Sequence, residues 1–200
     1  MDEKEISQEP GKKDNWKVEF LEMLRDFSGM MAVTLILFLL LFRISVVFGS
    51  SMVPTLYDGD RLLLLSNFLY PSFKKGDVVV VHEQNFAEDY NLVKRVIATE
   101  GQTVDIDFEQ GVVYVNGTAL EEPYCNTPTN LDEGMVFPAT VPEGKVFVMG
   151  DNRNNSKDSR DPEVGFVDER EIFGKVLLLT IPGPTAGTEK RDFSRIGVIK

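Results

Sequence analysis

Residues 27–42, FSGMMAVTLILFLLLF, carry no charge, and after Arg43 the apolar run resumes over residues 44–48. A helix crossing a bilayer needs about 20 apolar residues at ~1.5 Å each. The first stretch alone is short, but the two together are long enough. Arg43, near the outer end, can lay its aliphatic stem in the apolar phase and lift its guanidinium to the headgroups. Three readings compete: a membrane anchor, a cleaved secretory signal and a buried core helix. The signal reading requires an unusually long n-region and puts Phe48 where a small residue should stand, so the anchor is preferred. Lys12, Lys13, Lys17 and Arg25 precede the run, while Arg61, Lys74 and Lys75 come after it. Lys17 and Arg25 are closest, which favours a cytoplasmic N-terminus. The opening MDEKEISQEPGKKDN reads as a disordered polar tail.

Beyond the run the vocabulary changes to short apolar segments bounded by Gly, Pro, Asn and Asp. Residues 61–65, 77–82, 92–98, 103–106, 112–115, 145–149 and 172–181 read as strands. Asn116-Gly117 after residues 112–115 is a hairpin signal, because that pair supplies the positive φ values of a type I′ turn. No second long amphipathic helix stands out, and no repeat. The expected fold is mostly β: an antiparallel domain with extended hairpins behind one N-terminal transmembrane helix. Residues 118–140 read as a long loop or small insertion. Pro182-Gly183-Pro184 closes the last strand, and the C-terminal residues after it read as an irregular tail.

The net charge of −11 argues against a nucleic-acid partner, whose phosphates need a basic surface. The one cysteine, Cys125, and the one histidine, His82, make neither a disulfide framework nor a zinc site, and nothing clusters carboxylates at calcium-loop spacing.

Three segments hold polar residues in unusual places: Gly49-Ser50-Ser51-Met52-Val53-Pro54-Thr55-Leu56, the lysine in Val93-Lys94-Arg95-Val96, and the dense polar stretch from Gly150 to Arg160. A serine hydroxyl needs a base to become a nucleophile near neutral pH. An uncharged lysine can serve. Its ordinary pKa of about 10.4 must fall to about 7–8, which takes roughly 4 kcal/mol of penalty on the ammonium form. Burial in an apolar strand imposes that kind of penalty, and Lys94 is the best-placed lysine. Alone, each segment also has a plain reading: a lysine pointing out of its strand, an ordinary serine, a turn held by Asx hydrogen bonds.

Together, the segments resemble the type I signal peptidase family over residues 27–182. The S-M-x-P-T box stands as Ser51-Met52-Val53-Pro54-Thr55, the R/K-G-D-V-V box as Lys75-Gly76-Asp77-Val78-Val79, and the K-R-V box as Lys94-Arg95-Val96. The G-D-N-R-x-N-S-x-D-S-R box runs unbroken from Gly150 to Arg160. The resemblance implies a Ser/Lys dyad on an all-β catalytic fold near the membrane's outer face. Ser51 matches the nucleophile and Lys94 the general base. Ser156 matches the hydroxyl that orients the lysine amine, and Asp158 and Arg160 a supporting ion pair. Val47, Met52, Leu56 and Leu92 match the lining of two shallow pockets. Gly49 stands where some members carry a serine that helps bind the oxyanion, so a second donor would come from the Gly49 backbone, a water or Ser50. The implied substrates are exported preproteins, cut after small residues at −1 and −3, beside the export translocon and at the bilayer. No metal or other cofactor is implied.

The implied organisation is a cytoplasmic tail over residues 1–26, an anchor over 27–48, an extracytoplasmic peptidase domain over 49–182 and a C-terminal tail over 183–200, in a plasma (inner) membrane. An export-system peptidase with a single client and an inactive binding module of the same fold are the alternatives. A self-cleaving repressor is disfavoured by the membrane run and the negative charge.

Overall fold

The computed structural model describes residues 15–70, 72–82, 91–185 and 190–199; Lys12, Lys13 and most of the expected polar tail lie outside them. Two compact units are present, one ending at Leu40 and the other beginning at Leu41. The first holds helix α1 (Asn15–Leu41), whose side chains from Trp16 to Leu40 are exposed. The segment Trp16–Leu41 has a mean hydropathy of 1.8 and is long and apolar enough to cross a membrane.

The apolar run does not stay helical to residue 48. The helix starts earlier, at Asn15, and stops at Leu41, while strand β1 takes Phe42–Val46. The apolar run passes this boundary only to Phe42 before Arg43 interrupts it, and hydrogen bonding changes at the boundary itself. All five residues of β1 pair with β2 (Arg61–Ser66), from Phe42 opposite Leu65 to Val46 opposite Arg61. Ser45 and Val47 turn inward to the core. Upstream, residues 15–26 are rich in helix formers and extend the helix into what reads as polar tail.

In chain order the next strands are β3 (Val78–His82), β4 (Asn91–Thr99), β5 (Thr103–Asp107), β6 (Val112–Val115), β7 (Thr118–Ala119) and β8 (Ala139–Thr140). Then come β9 (Lys145–Met149), β10 (Val167–Asp168), β11 (Ile172–Ile181) and β12 (Gly197–Val198). The large sheet runs β1-β2-β11-β3-β4-β9-β10, with β12 on β11, and the small one β7-β6-β5-β8; every pairing is antiparallel. β6 and β7 form the expected hairpin, with Asn116 at φ 52° and Gly117 at φ 74° in its two-residue turn.

Strand alternation splits the core of the large sheet. Val78 and Val80 pack on one face with Val47, Met52, Leu56, Leu62 and Leu64. Val79 and Val81 pack on the other with Phe73, Val96, Val146 and Val148. A third cluster around Val104, Val113, Phe147 and Met149 joins the small sheet to β4 and β9. The central strands therefore read as near-continuous apolar runs, because both of their faces are covered.

The C-terminal segment is less irregular than expected. Residues 193–195 form a 3-10 turn, and β12 returns to β11. Arg195 clamps the fully buried Asp60 at 2.6 and 3.1 Å, and Asp60 also accepts from the Gly183 and Tyr57 amides. A buried carboxylate needs such compensation, which fixes the returning chain.

Candidate active site

Ser51 lies in the turn after β1, and Lys94 lies in the middle of β4, paired with Val79. The lysine does not point outward: it is 2% exposed. Its Nζ stands 2.8 Å from Ser51 Oγ, in hydrogen-bond contact. Burial lowers the Lys94 pKa to about 8, against the opposing pull of the Asp158, Glu133 and Asp151 carboxylates, while Arg160 lowers it further. A large fraction of the amine is therefore uncharged in mildly alkaline water, and an uncharged amine at this distance can accept the serine proton.

The polar stretch 150–160 builds the back of the site. Asn152 N–H donates to the Ser51 carbonyl at 2.9 Å, and Asn152 Nδ2 to the Ser50 carbonyl at 3.0 Å. Thr55 Oγ1 donates to Asp151 Oδ2 at 2.5 Å. Gly150 makes this approach possible. A Cβ there would lie 2.2 Å from Ser156 Oγ and 2.5 Å from the Ser51 carbonyl. Gly150→Ala is expected to displace the serine turn and cut kcat/KM by about 10²-fold, the scale of a 1 Å misplacement. Steady-state rates measured beside the thermal unfolding curve check this; parent-like rates would show that the tight packing is dispensable.

Three buried arginines hold the stretch. Arg95 binds Asp151 through two bonds of 2.8 and 2.7 Å and stacks 4.0 Å over the Tyr124 ring. Arg153 binds Glu122 through two of 2.6 and 2.7 Å. Arg160 binds Asp158 through two of 2.8 and 2.9 Å. Planar guanidinium–carboxylate pairing supplies geometry as well as energy.

Ser156 departs from expectation. Its hydroxyl lines the cleft beside Lys94, but it donates to Asp158 Oδ2 at 2.8 Å, and no hydrogen bond joins it to Lys94 among the described residues. A buried carboxylate is the stronger acceptor and takes the proton. Gly49 departs as well: its N–H is engaged by Asp58 Oδ1 at 2.7 Å. Ser50 Oγ accepts from Asn155 Nδ2 at 2.9 Å. The Ser51 N–H has no partner among the described residues.

Two clefts of 460 and 350 Å³ flank the pair, and Phe48, Gly49, Ser51, Leu92 and Lys94 line both. Of the four residues expected in pockets, only Leu92 does so. Val47, Met52 and Leu56 are 2% exposed or less and belong to the core beneath.

The 118–140 segment is more than a surface loop. Asn154 Oδ1 accepts from the Asn130 and Leu131 amides, and Asn154 Nδ2 donates to the Pro128 carbonyl, each at 3.0 Å. The segment brings Leu131 and Glu133 to the cleft, and no local signal marked either. Burial pushes the Cys125 thiol up to about 12, so it stays protonated. Among the described residues, no group of three or more His, Cys, Asp or Glu is placed to hold a metal.

The family described as "Signal peptidase, peptidase S26" matches residues 20–181. Signal peptidase I of Bacillus licheniformis is 34% identical over 179 residues, covering 86% of this chain and 94% of that one. Probable signal peptidase I-1 of Synechocystis sp. is 40% identical, covering 70% and 71%. A solved signal peptidase I from Enterococcus faecalis V583 is 28% identical, with a TM-score of 0.42, covering 52% of this chain and 96% of that one. The family match over residues 20–181 and the two curated relatives, 34% and 40% identical over more than two thirds of their lengths, place the chain in the signal peptidase family, peptidase S26, as a serine peptidase.

Proposed function

We propose that this peptidase removes signal peptides from exported preproteins, with Ser51 as nucleophile and uncharged Lys94 as general base. The observation that carries the mechanism is the 2.8 Å contact between the serine oxygen and a buried amine with a lowered pKa. Lys94 takes the hydroxyl proton as Oγ attacks the scissile carbonyl. The Ser51 N–H stabilises the resulting oxyanion. Lys94 then hands its proton to the leaving amine, and water, activated by the same amine, releases the acyl group.

The open clefts beside Ser51 suit an extended segment with small side chains, as expected at −1 and −3. Leu92 and Phe48 supply the apolar walls. Helix α1 anchors the chain in the plasma membrane with its N-terminus in the cytoplasm and the β domain outside, beside the translocon. Its 27 residues span about 40 Å, more than the ~30 Å hydrocarbon layer.

Cleavage of a preprotein by the full chain in detergent tests the function. The parent is expected to release the signal peptide after a small residue, Ser51→Ala to fall to the blank rate, and a chelator to leave the parent unchanged. Parent-like cleavage by Ser51→Ala would remove the serine from the mechanism.

A further inference from the structure

Glu133 lines the same cleft as Ser51 and Lys94. Its side chain is 13% exposed. Among the described residues, Glu133 Oε2 is the buried side-chain oxygen left without a hydrogen-bond partner. Arg160 Nε stands 3.6 Å from it, beyond hydrogen-bond range, and donates instead to Asp158 Oδ1 at 2.8 Å. The other carboxylates acting on Lys94 are differently placed: Asp158 is gripped by Arg160 and Asp151 by Arg95. Glu133 is held more loosely, by the Asp158 backbone N–H and by the Arg160 guanidinium at 3.6 Å. A carboxylate compensated only in part, in a partly dry cleft, acts on a neighbouring ammonium.

We propose that Glu133 is a positioning residue for the proton on Lys94: across the shared cleft its carboxylate stabilises the ammonium form, and so sets the pH at which the Ser51–Lys94 pair becomes competent. This inference rests on Lys94 being the base.

The groups facing both partners fit that role. Lys94 meets Asp158, Glu133, Arg160 and Asp151. Glu133 meets Asp158, Arg160 and Asp161, and burial with the Asp158 charge pushes its carboxyl up to about 7. Lys157, also at the cleft, is paired with Asp161 and Glu163. The carboxyl and the amine thus titrate over overlapping ranges. Below about pH 7, Glu133 is mostly neutral and does not hold the amine's proton. Above that, its charge delays loss of the proton. The rising limb of kcat/KM in the parent is therefore stretched over two coupled ionisations.

The test is the pH dependence of preprotein cleavage by the full chain in detergent, for the parent, Glu133→Gln, Glu133→Ala and Glu133→Asp. Without the charge, the limb is expected to steepen to one ionisation and move down by about 0.5–1 pH unit. At pH 7.5 the Gln and Ala variants should then exceed the parent by about 2–3-fold. The Asp variant keeps a charge and a stretched limb. A structural role alone would lower the rate at every pH and leave the limb in place. Superimposable limbs for parent, Gln and Ala overturn the inference. Lys94→Ala, run alongside, separates the two claims. If that variant is inactive and the limbs superimpose, only the role of Glu133 falls; if it cleaves like the parent, the Ser/Lys reading falls with it.

Discussion

Lys94→Ala is expected to lower kcat/KM for preprotein cleavage by about 10³–10⁶-fold, the range seen when a proton-transfer partner of a nucleophile is removed. The variant should still fold. The mutation removes a buried amine that burial already penalises, and the lost stem is one side chain in a strand held by β3 and β9. A far-UV spectrum and an unfolding curve close to the parent's would assign the loss to chemistry. The parent should show the matching pH dependence. The base must be uncharged, so the rate falls as pH drops below about 8, where the amine takes up its proton. It levels off above that. Lys94→His is not expected to rescue, because a shorter planar base misses an oxygen that the amine meets at 2.8 Å. Substantial cleavage by Lys94→Ala at alkaline pH would require another base.

How much of this was legible in the sequence depends on how local each signal is. The Asn116-Gly117 turn was legible because its φ requirement belongs to two residues. The strands were legible because apolar segments bounded by turn residues need no knowledge of their partners. The end of the anchor helix was not. Apolar residues run on to Phe42 and resume after Arg43, and pairing with a strand 15 to 23 positions away decides the conformation of Phe42 to Val46. The burial of Lys94 was ambiguous for a similar reason. Alternation places it on a face with Leu92 and Val96, but whether the serine turn covers that face is a tertiary fact. The box from Gly150 to Arg160 marked the site, yet its inner bonding was not readable. Ser156 had two possible acceptors or donors nearby, and the carboxylate of Asp158 claimed its proton. Glu133 was invisible, since one glutamate in an unpatterned loop becomes interesting only when the chain's path carries it to the cleft.

Asp158→Ala is expected to be the most destabilising single change at the site, at about 3–5 kcal/mol, because it leaves a buried guanidinium uncompensated. Arg160 and Asp158 are both 0% exposed. The same carboxylate also accepts from the Gly150 and Arg160 amides and the Ser156 hydroxyl, so its loss would orphan three more donors. Glu133, 3.6 Å from Arg160 Nε, is the carboxylate positioned to answer in part. It would be drawn out of its place in the cleft as it did so. Replacing both members of the pair, with Asp158→Ala and Arg160→Met together, removes the stranded charge. The double variant should recover at least about 2 kcal/mol relative to Asp158→Ala alone, because the penalty lies in the unpaired ion rather than in the lost attraction. Neither variant should regain full cleavage, since Gly150 and Ser156 would still lack their acceptor and the serine turn rests on Gly150. Denaturant titrations of the two variants decide the point. If the double variant is no more stable than the single one, the pair contributes mainly through its own attraction, and the buried charge is tolerated by the surrounding backbone carbonyls of Leu131 and Arg153.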